Sequence, residues 1–293
     1  MNKAYILSLN PDADLLKQWD FGLLHAFLKG DLWQPASFTG FDIKSVSRLP
    51  KKAERAIVAI PARHHKGLEN EVNEELKKLD KVVLFLMGDE EADFNVELID
   101  HPNIDIWIQN PHIGKHDAYN KLGTGFPAHL KDNLPEYNPK DIDIFFAGQI
   151  THQRRVELAE VLSDMNYIIE IKKTAGFTQG DSPDVYYSKM QQAKIAPCPS
   201  GAIIPDSFRL FEALEMMCIP IADQKTSRGE TMEYWDWLFS DITPFPKVTD
   251  WNALNDLTPD LIKNYDENIQ KITSWWINWK REFAYKVMDQ LNA

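Results

Sequence analysis

Residues 195–223 read IAPCPSGAIIPDSFRLFEALEMMCIPIAD, and this stretch decides the fold. It divides into an apolar run from Ile195 to Cys198, a Gly/Pro loop from Pro199 to Pro205, a helix opened by Asp206 or Ser207, and a second apolar run from Cys218 to Ala222. The helix of such a unit aims its unpaired N–H groups and the positive end of its dipole at the rim where the strands end, which suits an anion. Arg209 stands in the first turn, where a cation opposes the dipole, so its position serves a bound anion better than helix stability. Glu212 follows three residues later, close to the same face. One cation for phosphate oxygens and one carboxylate for ribose hydroxyls make a nucleotide grip. An ordinary connection carrying a surface Arg–Glu pair is the competing reading.

Further out, the N-terminal half alternates apolar runs with amphipathic stretches. Ala4 to Leu9, Ala56 to Ile60, Val82 to Met87 and Ile104 to Ile108 are predicted as strands buried on both faces, separated by helical patterns near Leu15 to Leu28 and Leu68 to Leu79. That alternation implies a parallel sheet covered by helices. Pro111 to Pro139 has little periodicity and many Gly and Pro residues, the composition of a linker or of loops spanning a cleft. A new series begins at Ile142 to Ala147 and continues through a helix near Gln153 to Leu162, a strand at Tyr167 to Ile171 and a helix at Pro183 to Ala193. The fold class is therefore α/β, with a first domain at residues 1–125, a linker at 126–141, a second domain at 142–272 and a terminal helix at 273–293. Ile269, Ile272, Trp275, Trp276, Trp279, Phe283 and Val287 form one apolar stripe near the end, which reads as core packing rather than as an aromatic platform for sugar rings.

The chain has 293 residues, 44% hydrophobic and 11% aromatic, enough for packed cores in two domains. No apolar run approaches the ~20 residues that span a bilayer. Acidic residues follow the first apolar run directly, so the sequence reads as a soluble, cytoplasmic protein with no secretion signal. Cys198 and Cys218 lie in apolar contexts that suit buried thiols in a reducing compartment. A net charge of −12 opposes general attraction to nucleic acid, although Arg154-Arg155 and Lys172-Lys173 are local basic pairs. His112 and His116 have i, i+4 spacing, but Pro111 and Gly114 spoil a helix there and no carboxylate separates them as a metalloprotease needs, so no metal site is expected.

Three elements occur in order between residues 142 and 225: Phe145-Phe146-Ala147-Gly148 followed by Arg154 or Arg155; Tyr186-Tyr187-Ser188-Lys189-Met190; and Asp206-Ser207-Phe208-Arg209 with Glu212-Ala213-Leu214 and Cys218-Ile219-Pro220-Ile221. Together they resemble the exostosin-like glycosyltransferases and, more distantly, other nucleotide-sugar transferases of the two-domain GT-B architecture. Met217 departs from the pattern, which commonly has Gly before the Cys. The resemblance implies two Rossmann-like domains facing across a cleft, with a C-terminal helix packing back on the N-terminal domain. It also implies metal-independent, inverting transfer of a sugar from a nucleoside-diphosphate sugar, taken as a UDP-sugar, to a hydroxyl of a glycan, with no further cofactor.

Such a transfer needs the departing diphosphate stabilised as negative charge develops, and without a metal that falls to helix N-termini, backbone N–H groups and cations. Ser207, Arg209 and Lys189 are the candidates, with Gly148 letting the backbone approach the phosphates, Arg154 or Arg155 as an auxiliary cation, and Glu212 accepting from the ribose. A base must take the acceptor's proton from a loop at the carboxyl end of an N-domain strand. Asp89 and Glu90 rank first there, ahead of Asp20, His64, His65 and His112. The Gly88 to Asp93 loop has neither calcium-loop spacing nor the Asp-x-Asp by which metal-dependent GT-A transferases hold a nucleotide sugar. Rival functions are glycosylation of a hydroxylated DNA base, non-catalytic binding of a nucleotide sugar or glycan, and nicotinamide-dependent hydride transfer. The last is disfavoured because neither Ala4 to Leu9 nor Ile142 to Ala147 is followed by Gly-x-Gly-x-x-Gly.

Overall fold

The computed structural model describes residues 2–10, 12–32, 40–51, 55–176 and 179–293. It divides into two compact units, one of Met1–Ala128 with Asn278–Ala293 and one of His129–Ile277. The first contains β1 (Lys3–Leu7), α1 (Gly22–Lys29), β2 (Asp42–Val46), β3 (Arg55–Pro61), α2 (Glu69–Leu76), β4 (Lys81–Met87), β5 (Ile104–Gln109) and β6 (Asn120–Leu122). Its strands pair only in parallel, in the order β2-β1-β3-β4-β5-β6. β3 and β4 are buried at every position but the first, as strands covered on both faces by helices must be.

The second unit contains β7 (Ile142–Gln149), α3 (Gln153–Asp164), β8 (Ile169–Thr174), α4 (Pro183–Gln191), β9 (Ala193–Cys198), α5 (Phe208–Glu215), β10 (Ile219–Asp223), α6 (Tyr234–Phe239), β11 (Lys247–Val248) and α7 (Leu254–Lys263). Its sheet is also parallel throughout, in the order β11-β10-β9-β7-β8. Both sheets are thus built in the same way. The chain enters at an inner strand, adds one neighbour on one side, then crosses over and grows on the other, which sets a switch point between β1 and β3 and another between β7 and β9. Among the described residues no helix is long and apolar enough to cross a membrane.

Three strands and the short helix α6 escape the sequence reading. β2 is half-exposed at a sheet edge, β6 has three residues and β11 two, too short for a period to show. The segment read as a linker holds β6 and a 3-10 helix at Ala128–Asn133. The terminal helix is longer than expected: α8 (Tyr265–Asn292) begins in the second unit, and its last part belongs to the first. Its aromatic stripe is core. Trp276 lies 5.9 Å from Phe211 and donates to Glu215, while Phe283 meets Phe27 at 5.3 Å and Trp107 at 5.1 Å. Cys198 and Cys218 are buried free thiols.

The turn from α5 into β10 explains the departure at Met217. The amide of Cys218 bonds back to the Ala213 carbonyl at 2.9 Å, closing the helix with a residue in the left-handed region, and that residue is Met217 at φ 53°. A side chain there costs about 1 kcal/mol or more relative to Gly. Met217→Gly is therefore expected to stabilise the protein by about 1 kcal/mol in urea denaturation, whereas a loss of stability would mean that the Met217 side chain's packing outweighs its backbone strain.

Candidate functional site

The crevice outside the carboxyl ends of strands at a switch point is where open α/β sheets hold ligands. In the second unit β7 closes there on Gly148 and Gln149, and β9 runs into Pro199 and Ser200. Helix α3 contributes His152 and Arg155, and α5 contributes Ser207 and Arg209. Backbone carbonyls fix both guanidiniums. Arg155 donates to Gln149 O and Ser200 O at 3.2 Å each. Arg209 donates to Ala147 O and lies 5.1 Å over the Phe146 ring. A Cβ on Gly148 would come within 2.7 Å of the Arg209 Nη2, so this glycine makes room for the guanidinium. Burial and the neighbouring charge of Arg209 pull Arg155 down to about 10.

Around these cations the hydrogen-bonding capacity is unfilled. His152 Nδ1, Arg155 Nε, Ser200 Oγ, Ser207 Oγ and Arg209 Nε are all shielded from solvent, and none of these atoms has a hydrogen-bond partner among the described residues. Ser207 is the N-cap of α5 in extended conformation, yet its hydroxyl does not cap the helix. Each orphaned buried polar atom costs about 1–3 kcal/mol, so five at one sheet end leave a large deficit of hydrogen-bond partners.

Glu212 does not open onto this crevice. It is 6% exposed, and its oxygens accept from Tyr186 at 2.8 Å and Tyr187 at 3.1 Å, the latter hydroxyl also lying 3.2 Å from His129 Nε2. Burial raises its carboxyl above the usual range, opposed by the charge of Arg209. It therefore ties α5 to α4 and lends Arg209 a counter-charge, in place of the expected ribose contact. Arg154 also points away from the orphaned atoms. It is 3% exposed, donates to Asp223 from Nε and Nη2, the latter at 2.7 Å, and lies 5.3 Å over Trp251. Asp223 in turn accepts from the Ser200 amide at 3.4 Å and the Lys225 amide at 3.1 Å. Lys189 is taken up by Glu170 and Asp181 on the edge-strand side of α4. Of the second-domain residues expected from sequence, Gly148, Arg155, Ser207 and Arg209 converge, Glu212 stands behind them, and Arg154 and Lys189 stand apart.

In the first unit Asp89 is a loop cap, its carboxylate accepting the amides of Asp93 at 3.0 Å and Phe94 at 2.9 Å. Glu90 is partly buried, its carboxyl raised by burial and by Glu91. The histidines lock loops: His65 accepts from the Leu9 amide at 2.9 Å, His116 Nδ1 accepts from the His112 amide at 3.0 Å, and His112 Nε2 lies 2.7 Å from the Glu90 carbonyl. Asp20 differs. Its Oδ1 is shielded and without a hydrogen-bond partner, and its Oδ2 occupies the space that a Cβ on Gly88 would need, at 2.3 Å. Gln109, fully buried, holds the arrangement by accepting from the Gly88 amide and donating to the carbonyls of Asp20 and Thr124. Burial raises Asp20 to about 6, with Glu90 adding to the rise and Arg63 opposing it. Among the described residues no group of three or more His, Cys, Asp or Glu could hold a metal ion.

Sequence reading overlooked His152, Ser200 and the two tyrosines as parts of this site. For His152 and Ser200 the signal was position, since each follows within three residues one of the two strands that flank the switch point. No protein-family model matches the chain, and no curated protein matches it either.

Arg154→Ala leaves Asp223 as an unpaired buried charge and is expected to destabilise the protein by about 3–5 kcal/mol in urea denaturation. Lys189→Ala, by contrast, should change stability by less than about 1 kcal/mol. For Asp20 the folded protein holds the proton more tightly than the unfolded chain, so its contribution to stability is present below pH 4 and lost as pH rises through about 6. Asp20→Asn should therefore match the parent at pH 4 and become more stable by up to about 3 kcal/mol at pH 8. A stability difference that does not change with pH would show an unperturbed carboxylate.

Proposed function

We propose that the protein is a glycosyltransferase of the GT-B kind, similar to exostosin-like enzymes, that moves a sugar from a nucleoside diphosphate, UDP in the first instance, to a hydroxyl of a glycan. One observation carries this reading: two guanidiniums held side by side, among five orphaned polar atoms, at the switch point of a parallel sheet. Two fixed cations with unused donors match a diphosphate, which is dianionic in a nucleotide sugar and gains a further negative charge as it leaves. Preorganised donors stabilise the charge as it develops, without reorganisation during the reaction.

Arg155 and Arg209 each offer an unused Nε–H to the phosphate oxygens, Ser200 and Ser207 offer hydroxyls, and the first-turn amides of α5, which have no helical acceptor, complete the grip. Within the first unit, Asp20 is a better candidate for a base than Asp89 or Glu90. Its environment is desolvated and its Oδ1 is unused, while Asp89 is bound into its own loop. The acceptor oxygen bonds to C1 of the sugar as the bond from C1 to the phosphate oxygen breaks. The electron pair leaves with the diphosphate, and the acceptor's proton passes to a general base.

Thermal-shift measurements with UDP, GDP, CDP and dTDP, with and without EDTA, test the donor site. A ligand at about 100 times its Kd stabilises the native state by about 2.7 kcal/mol. One nucleotide should raise the melting temperature regardless of EDTA, and Arg155→Ala and Arg209→Ala should remove that rise while remaining folded. Parent-like nucleotide affinity in both variants would sink the reading. Release of free sugar from the radiolabelled donor separates a transferase from a protein that only binds it.

A further inference from the structure

The crevice of the second unit is rich in donors, and one of its orphaned atoms has the opposite character. His152 Nε2 lies 3.1 Å from the Ser200 carbonyl, and a carbonyl only accepts, so Nε2 carries the ring proton and Nδ1 presents a lone pair. Burial, followed by the charges of Arg155 and Arg154, lowers the imidazole to about 4, so at neutral pH the ring carries no second proton. Those two arginines are the charged groups that act on it. The lone pair is shielded from solvent and without a partner. His152 stands at the N-cap of α3 in extended conformation without capping the helix, so Nδ1 is not used locally. The neighbouring Ser200 is fully buried and its hydroxyl is likewise unpaired.

The phosphate oxygens of a sugar nucleotide, whose two phosphates are both esterified and fully ionised at neutral pH, cannot satisfy such an atom, because they accept and do not donate. A ligand that fills the crevice must bring an O–H beside its anionic group. We propose that His152 is a specificity residue that accepts a hydrogen bond from a ligand hydroxyl, so that the site prefers a phosphorylated sugar or nucleoside to a bare polyphosphate. This rests on the reading of the crevice as a diphosphate site and adds to it the chemistry of the group next to the phosphates.

Titration calorimetry on the full chain tests this with four probes: pyrophosphate, UDP, 2′-deoxy-UDP and UDP-glucose. His152→Gln is the informative variant, since its amide can still donate to Ser200 O but places no acceptor at the Nδ1 position. The variant should bind pyrophosphate within about twofold of the parent and bind its hydroxyl-bearing ligand about tenfold more weakly. A loss seen for UDP but not for 2′-deoxy-UDP assigns the ribose as the source, and a loss confined to UDP-glucose assigns the transferred sugar. In the parent, the 15N resonance of Nδ1 should shift with the hydroxyl-bearing ligand and remain in place with pyrophosphate. Equal weakening for all four probes, or none for any, overturns the role of His152 alone. Failure of pyrophosphate to bind the parent overturns the diphosphate reading, and this proposal with it.

Discussion

Two positive charges in close quarters govern the second unit. Arg155 and Arg209 arrive from different helices, α3 and α5, and each is held by main-chain carbonyls at the ends of the flanking strands. Burial first, and then repulsion between the like charges, lowers the affinity of Arg155 for its proton. Glu212 offsets part of this from behind, through Arg209, while its oxygens stay occupied by Tyr186 and Tyr187. The arrangement is stable enough to exist and electrostatically incomplete, the condition in which an anion gains most by binding.

Much of the architecture was legible in the sequence because fully buried strands leave continuous apolar runs. Val82 to Met87 and Ile195 to Cys198 read as strands on that ground, and β4 and β9 occupy those positions. Edge strands give no such run. β2, DIKSV, is half-exposed, and β11 has two residues. The α5 start was legible through the Ser-x-Arg pattern and the loop before it, since a helix after a Gly/Pro turn has few alternatives.

Side-chain direction was not legible. Arg154 and Arg155 are adjacent and chemically identical, yet a helix turns about 100° between them, so one enters the core beside Asp223 while the other reaches the crevice. Asp89 sits closest to its strand end, but the Ala92 to Phe94 turn folds its amides onto that carboxylate. Asp20 is remote from β4 in sequence and reaches it only because Gly88 lacks a side chain. Lys189 matched a motif, but Glu170 and Asp181 claim it from neighbouring elements. Tertiary neighbours decided each case, and no local spacing encodes them.

Asp223 acts as a keystone. The same carboxylate anchors α3 through Arg154 and the loop after β9 through the Ser200 amide, so the two walls that carry His152, Arg155 and Ser200 are braced from a single point beneath them. Walls braced in this way cannot splay independently. A guest entering the crevice would meet groups already in place and would lose little chain freedom in ordering them, which favours rigid discrimination between shapes over adaptive moulding.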